Sequence, residues 1–173
     1  MKSCITLSLV PSLKGGPWIL WDDLEAGIKE AACLGFDAIE LFTEKPSAGE
    51  PGELTQLLDE HGLALGAVGT GAGKVLHGLT LTDPNKEIRQ EAISFIQKMI
   101  DFGAMYSAPA IIGSMQGNHG DGISSEVALS WLGEALEHLG QYACNKGVSL
   151  IYEPLNRYET NLFNSYLGAC DFI

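Results

Sequence analysis

Val148-Ser149-Leu150-Ile151-Tyr152-Glu153-Pro154-Leu155-Asn156-Arg157-Tyr158-Glu159 decides how the rest of the chain is read. Its first part is a short apolar run of the kind that forms a buried strand. Glu153 stands at the carboxyl end of that strand, and Pro154, which has no N–H to donate, keeps the ladder from continuing. Asn156, Arg157 and Glu159 follow at once. Charged groups gathered at one strand end are what a parallel α/β enzyme presents at its catalytic face, because the loops leave the strands there.

Working outward, the same strand-then-helix phrase recurs four times upstream. Residues 4–10 alternate in strand fashion and stop at Pro11; Trp21-Asp22-Asp23 opens a helix whose inner face is Leu24, Ile28 and Ala31/Ala32, and Gly35 ends it. Residues 36–42 make a second strand, and a helix near 51–61 stops at Gly62. Residues 63–68 make a third strand, followed by a glycine-rich loop. Asp83-Pro84 starts a helix running to about Gly103, with Ile88, Ala92, Phe95, Ile96 and Met99 inward. Residues 108–113 are a fourth strand, 116–122 a polar loop, and Ser124 or Ser125 caps a helix with Val127, Trp131/Leu132, Leu136 and Leu139 inward. After the fifth strand, Asn164-Ser165 starts one more helix.

Strand–helix alternation at roughly 35 residues per unit gives parallel strands with right-handed crossovers. Two architectures fit, an open doubly wound sheet or about four and a half units of an eight-unit (β/α)8 barrel. No composition shift marks a boundary, so residues 1–173 are expected to form a single domain. In a half barrel the first and fifth strands would be open edges, so either a longer native chain or a homo-oligomer is expected to cover them.

Composition narrows the partners. Lys plus Arg number 10 against 22 Asp plus Glu, a formal charge of −12. Such a field repels nucleic acid and anionic membranes, and no basic cluster offsets it. Cys4, Cys33, Cys144 and Cys170 are scattered with no metal-knuckle spacing, as expected of buried free thiols in a reducing compartment. The amino-terminal apolar run is too short for a leader or a membrane span, so a cytoplasmic location is expected.

Several sites compete for chemistry. Gly69-Thr70-Gly71-Ala72-Gly73-Lys74-Val75 looks like a phosphate cradle but fails both templates: a P-loop needs Gly at Val68 and Ser/Thr at Val75, and the dinucleotide fingerprint needs Gly at Lys74. It reads as a flexible loop over a pocket, where Lys74 and His77 could meet a polar ligand. His61 and His138 lie in helices and read as structural; His77 and His119 lie in strand-to-helix loops, the functional side of the fold. Glu40, inside the second strand, reads equally as a rim carboxylate or a substrate contact. Glu153, Asn156, Arg157 and Glu159 together offer a hard-cation ligand, an amide, a fixed cation and a second base, and that concentration favours function over a simple ion pair.

Glu-Pro-Leu-Asn-Arg-Tyr-Glu (153–159) resembles the Glu-x-x-Asn-Arg-x-Glu motif of the xylose isomerase-like barrels, in particular the sugar isomerases and epimerases that include D-tagatose 3-epimerase and D-psicose epimerase. Gly-Phe-Asp-x-Ile-Glu (35–40) and Asp-Pro (83–84) extend the resemblance along the chain. It implies a xylose isomerase-like TIM barrel acting on a sugar or sugar phosphate, by proton abstraction beside a carbonyl through an enediolate. Glu153 would be an acid/base group and the first ligand of a divalent metal, Mn²⁺, Mg²⁺ or Co²⁺, with Zn²⁺ also admissible. Glu159 would contact the substrate's hydroxyl and carbonyl end, and Arg157 would brace the cluster; Asn156, Glu40 and His77, by their own places in the chain, are further candidate substrate contacts. The family's remaining ligands, an Asp, a His and a Glu, fall on later strands than this sequence contains. A hydroxypyruvate isomerase, an inosose dehydratase-like enzyme, or a non-catalytic fragment that keeps the fold are the alternatives.

Overall fold

Apolar alternation becomes a single parallel sheet. Strands β1 (Cys4–Ser8), β2 (Leu20–Trp21), β3 (Ala38–Phe42), β4 (Ala64–Gly69), β5 (Ala110–Ile112) and β6 (Leu150–Tyr152) lie in the order β2-β1-β3-β4-β5-β6. Every neighbouring pair is parallel. The structure, a computed structural model, describes residues 1–16, 20–21, 23–50, 52–120 and 122–173. Asp22, Pro51 and Asp121, placed above in a helix cap, a helix start and a loop, lie outside the described residues.

Apart from the two-residue β2, which pairs on the far side of β1, the spatial order follows the chain order without reversal. A doubly wound sheet must reverse at a switch point, whereas a barrel arc adds each strand to the same side. β2 has two residues and no α-helix among the described residues separates it from β1, so it is not a crossover unit of a doubly wound sheet, and the order of the other strands is that of a barrel arc. The helices α1 (Leu24–Cys33), α2 (Glu53–His61), α3 (Ala72–His77), α4 (Lys86–Ala104), α5 (Ser125–Asn145) and α6 (Tyr166–Phe172) connect the strands.

The capping chemistry largely follows the sequence. Asp23 accepts from the Ala26 N–H at 2.9 Å, Ser124 from Val127 and Ser165 from Gly168, while Gly62 closes α2 at φ 65°. The cap of α4 is Asn85, which accepts from Glu87; Asp83 instead bonds the Asn85 N–H, so the Asp-Pro pair lies one step before the helix rather than in it. On α5 the buried stripe is Ala128, Leu132, Ala135, Leu139 and Ala143. Val127 points outward, because the face is turned by one residue from the expected one.

The core has two main parts. Leu7, Ile28, Ile39, Leu41 and Leu54 pack α1 and α2 onto β1 and β3, and Ile96, Ile100, Ile112, Leu132 and Leu139 pack α4 and α5 onto β5. Phe95 touches both and joins them. Three expectations fail here. The glycine-rich stretch after β4 is not a flexible loop: Gly71, Ala72 and Gly73 are buried, and a Cβ on Gly73 would meet Met115 and Phe95 within 3 Å, so packing, not propensity, makes α3. The outer edge of β1 is not open throughout, because Leu20 and Trp21 pair with Leu7 and Ser8. The four cysteines are free thiols, but all are exposed.

Candidate active site

The strands' carboxyl ends surround a pocket of about 290 Å³. Its polar groups are the carboxylates of Glu40, Glu153 and Glu159 and the hydroxyls of Thr6, Thr70 and Ser114; its apolar walls are Phe42, Ile111 and Leu155. Gly69, Gly71 and Gly113 complete the lining, and no described residue of the lining carries a positive charge.

Local backbone features aim these groups. Between β3 and β4 the register slips beside Ile39 and Glu40: Leu65 opposes Ile39 while Ala67 opposes Glu40, leaving Gly66 as the extra residue. Such a bulge re-aims the side chains beyond it. It brings Gly69 opposite Phe42, where a Cβ would lie 3.2 Å from the Glu40 Oε1. At the other side, a Cβ on Gly113 would lie 2.8 Å from the Glu153 Oε2. Each carboxylate thus occupies space that a neighbouring glycine leaves free.

The two carboxylates differ in their surroundings. Glu40 is half-buried, and its Oε2 accepts from the Thr6 hydroxyl at 3.2 Å. Burial raises its pKa above the usual glutamate value, the Thr6 bond opposes that, and the charge of Glu153 adds to it. The pKa of Glu153 is also raised, by partial burial first and the charge of Glu159 second. Its side chain remains substantially exposed, and no described residue donates a hydrogen bond to its carboxylate. A carboxylate with raised pKa and free lone pairs is available as a base.

The other expected residues are placed as follows. Glu159 lines the pocket, but its Oε2 is held by the Asn156 Nδ2, and the Asn156 Oδ1 accepts from the Tyr158 N–H at 2.9 Å. Asn156 therefore spends its amide on shaping the loop and orients Glu159 instead of lining the pocket. Arg157 braces neither carboxylate: its guanidinium donates to the Tyr158 hydroxyl at 2.9 Å and lies over that ring, in solvent. His77 ends α3, exposed, with its ring edge-on to Phe95 and away from the pocket lining. The end of the helix, where the backbone turns at Gly78, carries the side chain outward.

Sequence reasoning missed Gln116, Tyr152, Thr6 and Thr70. Thr70 donates to the Ile111 carbonyl at 2.7 Å, tying β4 to β5 below the pocket. Only Thr6 left a readable signal, a polar residue within the alternating run of the first strand.

The residues present do not complete a metal site. Among the described residues no three potential ligands are placed so that they could hold one ion. Glu153 and Glu159 are hard oxygen donors that could contribute to one, and the ligation expected of Glu153 finds one donor here, not a set.

Parallel strands that mostly follow one another in space, with Glu40, Glu153 and Glu159 lining one pocket, suit a barrel of alternating strands and helices. Residues 28–173 match the family described as xylose isomerase-like TIM barrel, and the chain belongs to that family. It is 28% identical over 169 residues to the L-ribulose 3-epimerase of Methylomonas sp. (strain DH-1), an alignment covering 92% of this chain and 57% of that protein. The chain thus spans little more than half of that relative's length. The solved D-psicose 3-epimerase of Clostridium cellulolyticum H10 overlays with a TM-score of 0.75 at 22% identity, covering 99% of this chain and 58% of that one. The 3-keto-D-glucoside 4-epimerase of E. coli overlays with a TM-score of 0.75 at 17% identity, covering 100% and 64%. The overlays establish the barrel fold, of which this chain forms a part. Among the described residues no helix is long and apolar enough to cross a membrane.

Proposed function

We propose that this chain supplies the amino-terminal part of a sugar isomerase or epimerase site, in which Glu153 moves a proton on a carbon beside a carbonyl. The observation that carries this reading is the convergence of Glu153, Glu40 and Glu159 on one pocket that otherwise offers hydroxyls and glycines. A C–H next to a carbonyl is a weak acid, so its base must lie within hydrogen-bond reach and must not be neutralised by a protein cation. Glu153 meets the second condition. Glu159, steadied by Asn156, is placed to accept from a substrate hydroxyl. With no cation among the described lining residues, a free ketose fits better than a sugar phosphate, whose phosphate would face three carboxylates.

A divalent ion would stabilise an enediolate, with Glu153 as one ligand. The remaining ligands would have to come from outside these residues, so the proton chemistry above rests on the carboxylates alone. The free edge of β6, where Ile151 is 39% exposed, is where further strands of a longer chain or a second copy would pair. Size-exclusion chromatography with intact mass distinguishes these from a monomer.

The deciding experiment incubates the protein in D2O with D-psicose, D-tagatose or L-ribulose and follows deuterium entry at C3 by NMR. Exchange that is lost in Glu153→Gln supports the reading; exchange in neither protein, or equal exchange in both, refutes it. A second reading, a chain that keeps the fold without completing a site, is favoured by the lack, among the described residues, of three ligands placed to hold one ion. The same D2O experiment separates the two, since only the second expects no deuterium entry.

A further inference from the structure

We infer that Gln116 is the positioning residue for Glu153, fixing the main chain from which that carboxylate enters the pocket. Gln116 closes the short 3-10 turn Ser114–Gln116 that follows β5, and it is fully buried. Its Nε2 donates to the Gly113 carbonyl at 2.9 Å and to the Glu153 carbonyl at 3.1 Å, and its Oε1 accepts from the Tyr152 hydroxyl. Carbonyl oxygens can only accept, so the two carbonyls fix which end of the amide faces them. Both Gln116 donor hydrogens are then committed, one of them to the residue that bears the proposed base.

The turn that carries Gln116 is itself held from two other loops. Thr82 donates to the carbonyls of Gln116 at 3.1 Å and Asn118 at 2.9 Å. Thr160 donates to the Gly117 carbonyl at 2.8 Å, and Asn161 exchanges hydrogen bonds with Asn118 and His119. The amide is therefore a fixed point against which the end of β6 is registered, beyond the single strand bond from the Glu153 N–H to the Ile112 carbonyl. Since no described residue bonds the Glu153 carboxylate, its direction is set through its own backbone, and Gln116 is the side chain that grips it there.

This inference rests on the isomerase reading only for what Glu153's direction is used for; the grip itself is testable without turnover. In the unsubstituted protein, a through-hydrogen-bond coupling is expected from the Gln116 carboxamide nitrogen to the Glu153 carbonyl carbon. Its absence overturns the inference whatever any variant does. In Gln116→Met, which keeps side-chain length and removes both donors, amide hydrogen exchange at residues 153–160 is expected to speed at least tenfold while α4 and α5 keep their protection. Equal protection at 153–160, or a loss spread uniformly over the whole sheet and its helices, overturns it. If the protein catalyses deuterium entry, Gln116→Met is expected to lower kcat at least tenfold with KM changed less than threefold. Kinetics that change in KM alone argue against positioning. A protein without any turnover counts against the isomerase reading, and the coupling and exchange results still decide the role of Gln116.

Discussion

Glu40 and Glu153 share a design and differ in setting. Each leans into space left by a neighbouring glycine, Gly69 at the end of β4 for Glu40 and Gly113 just past β5 for Glu153. Glu40 sits in β3, between β1 and β4, with Thr6 bonded to it and Phe42 packed beside the same glycine. Glu153 leaves β6, at the sheet's edge, with no donor on its carboxylate among the described residues. The comparison teaches that strand position sorts two like carboxylates into unlike settings. The interior one is bonded into the wall, and the edge one keeps its lone pairs free of described donors.

The sharpest way to break that distinction is to neutralise each in turn. Glu153→Gln is expected to lower deuterium entry by roughly 10²- to 10⁴-fold, the usual contribution of a general base. Glu40→Gln keeps the hydrogen-bond acceptor for Thr6 and is expected to cost less than about tenfold. The reverse ranking in the NMR exchange assay would assign the base to Glu40.

The two glycines give the next test. At Gly69 an added Cβ would meet the Phe42 Cδ2 at 3.0 Å as well as Glu40, and Phe42 is buried. Gly69→Ala overfills a packed wall and is expected to lower unfolding free energy by about 1–3 kcal/mol, measured by urea denaturation. A loss within error would show that the Glu40 side of the pocket is as yielding as its partner's.

A smaller effect should appear in the pH dependence of stability. Both carboxyls titrate above the ordinary glutamate value of 4.5, Glu40 through burial and the charge of Glu153, Glu153 through burial and the charge of Glu159. Between that value and their raised folded values the native state binds more protons than the unfolded chain. Stability therefore falls as pH rises through that window and levels off above it. Glu40, the more enclosed of the two, should carry more of the drift. Denaturation from pH 4 to pH 7 is expected to show a shallower fall in Glu40→Gln than in Glu153→Gln; an unchanged slope in Glu40→Gln would contradict the burial argument.

The sequence announces these regions unequally. Strand ends and helix faces follow from local periodicity, so β3, β4, α4 and the start of α6 were readable. Glu153 and Glu159 were legible because their chemistry is packed into seven consecutive residues. Gln116 was not, since its partners Tyr152 and Glu153 are 36 and 37 residues away. β2 has two residues and exists only because Leu7 and Ser8 offer an edge. α3 defeats propensity, as Gly73 within it is fixed by contact with Met115 and Phe95 and not by helix preference. Residue type marked Arg157 and His77 as candidates, but direction decides contact, and direction is set by the turn that follows each.

Arg157 is where that point can be pressed hardest. A guanidinium two residues from Glu159 and four from Glu153 invites an ion pair in any reading of the sequence. The structure instead lays it on Tyr158, 2.9 Å from the hydroxyl and 5.0 Å above the ring centre, with that tyrosine 84% exposed. Contacts of this kind in open water contribute little, because solvent screens the charge and ordering two long side chains costs entropy. Arg157→Ala is therefore expected to change unfolding free energy by less than about 0.5 kcal/mol and deuterium entry by less than about threefold. A tenfold loss with stability intact would mean that the guanidinium turns inward once substrate is bound. The edge carboxylate would then have a cationic partner during turnover, and its freedom, the feature that separates it from Glu40, would belong only to the empty pocket.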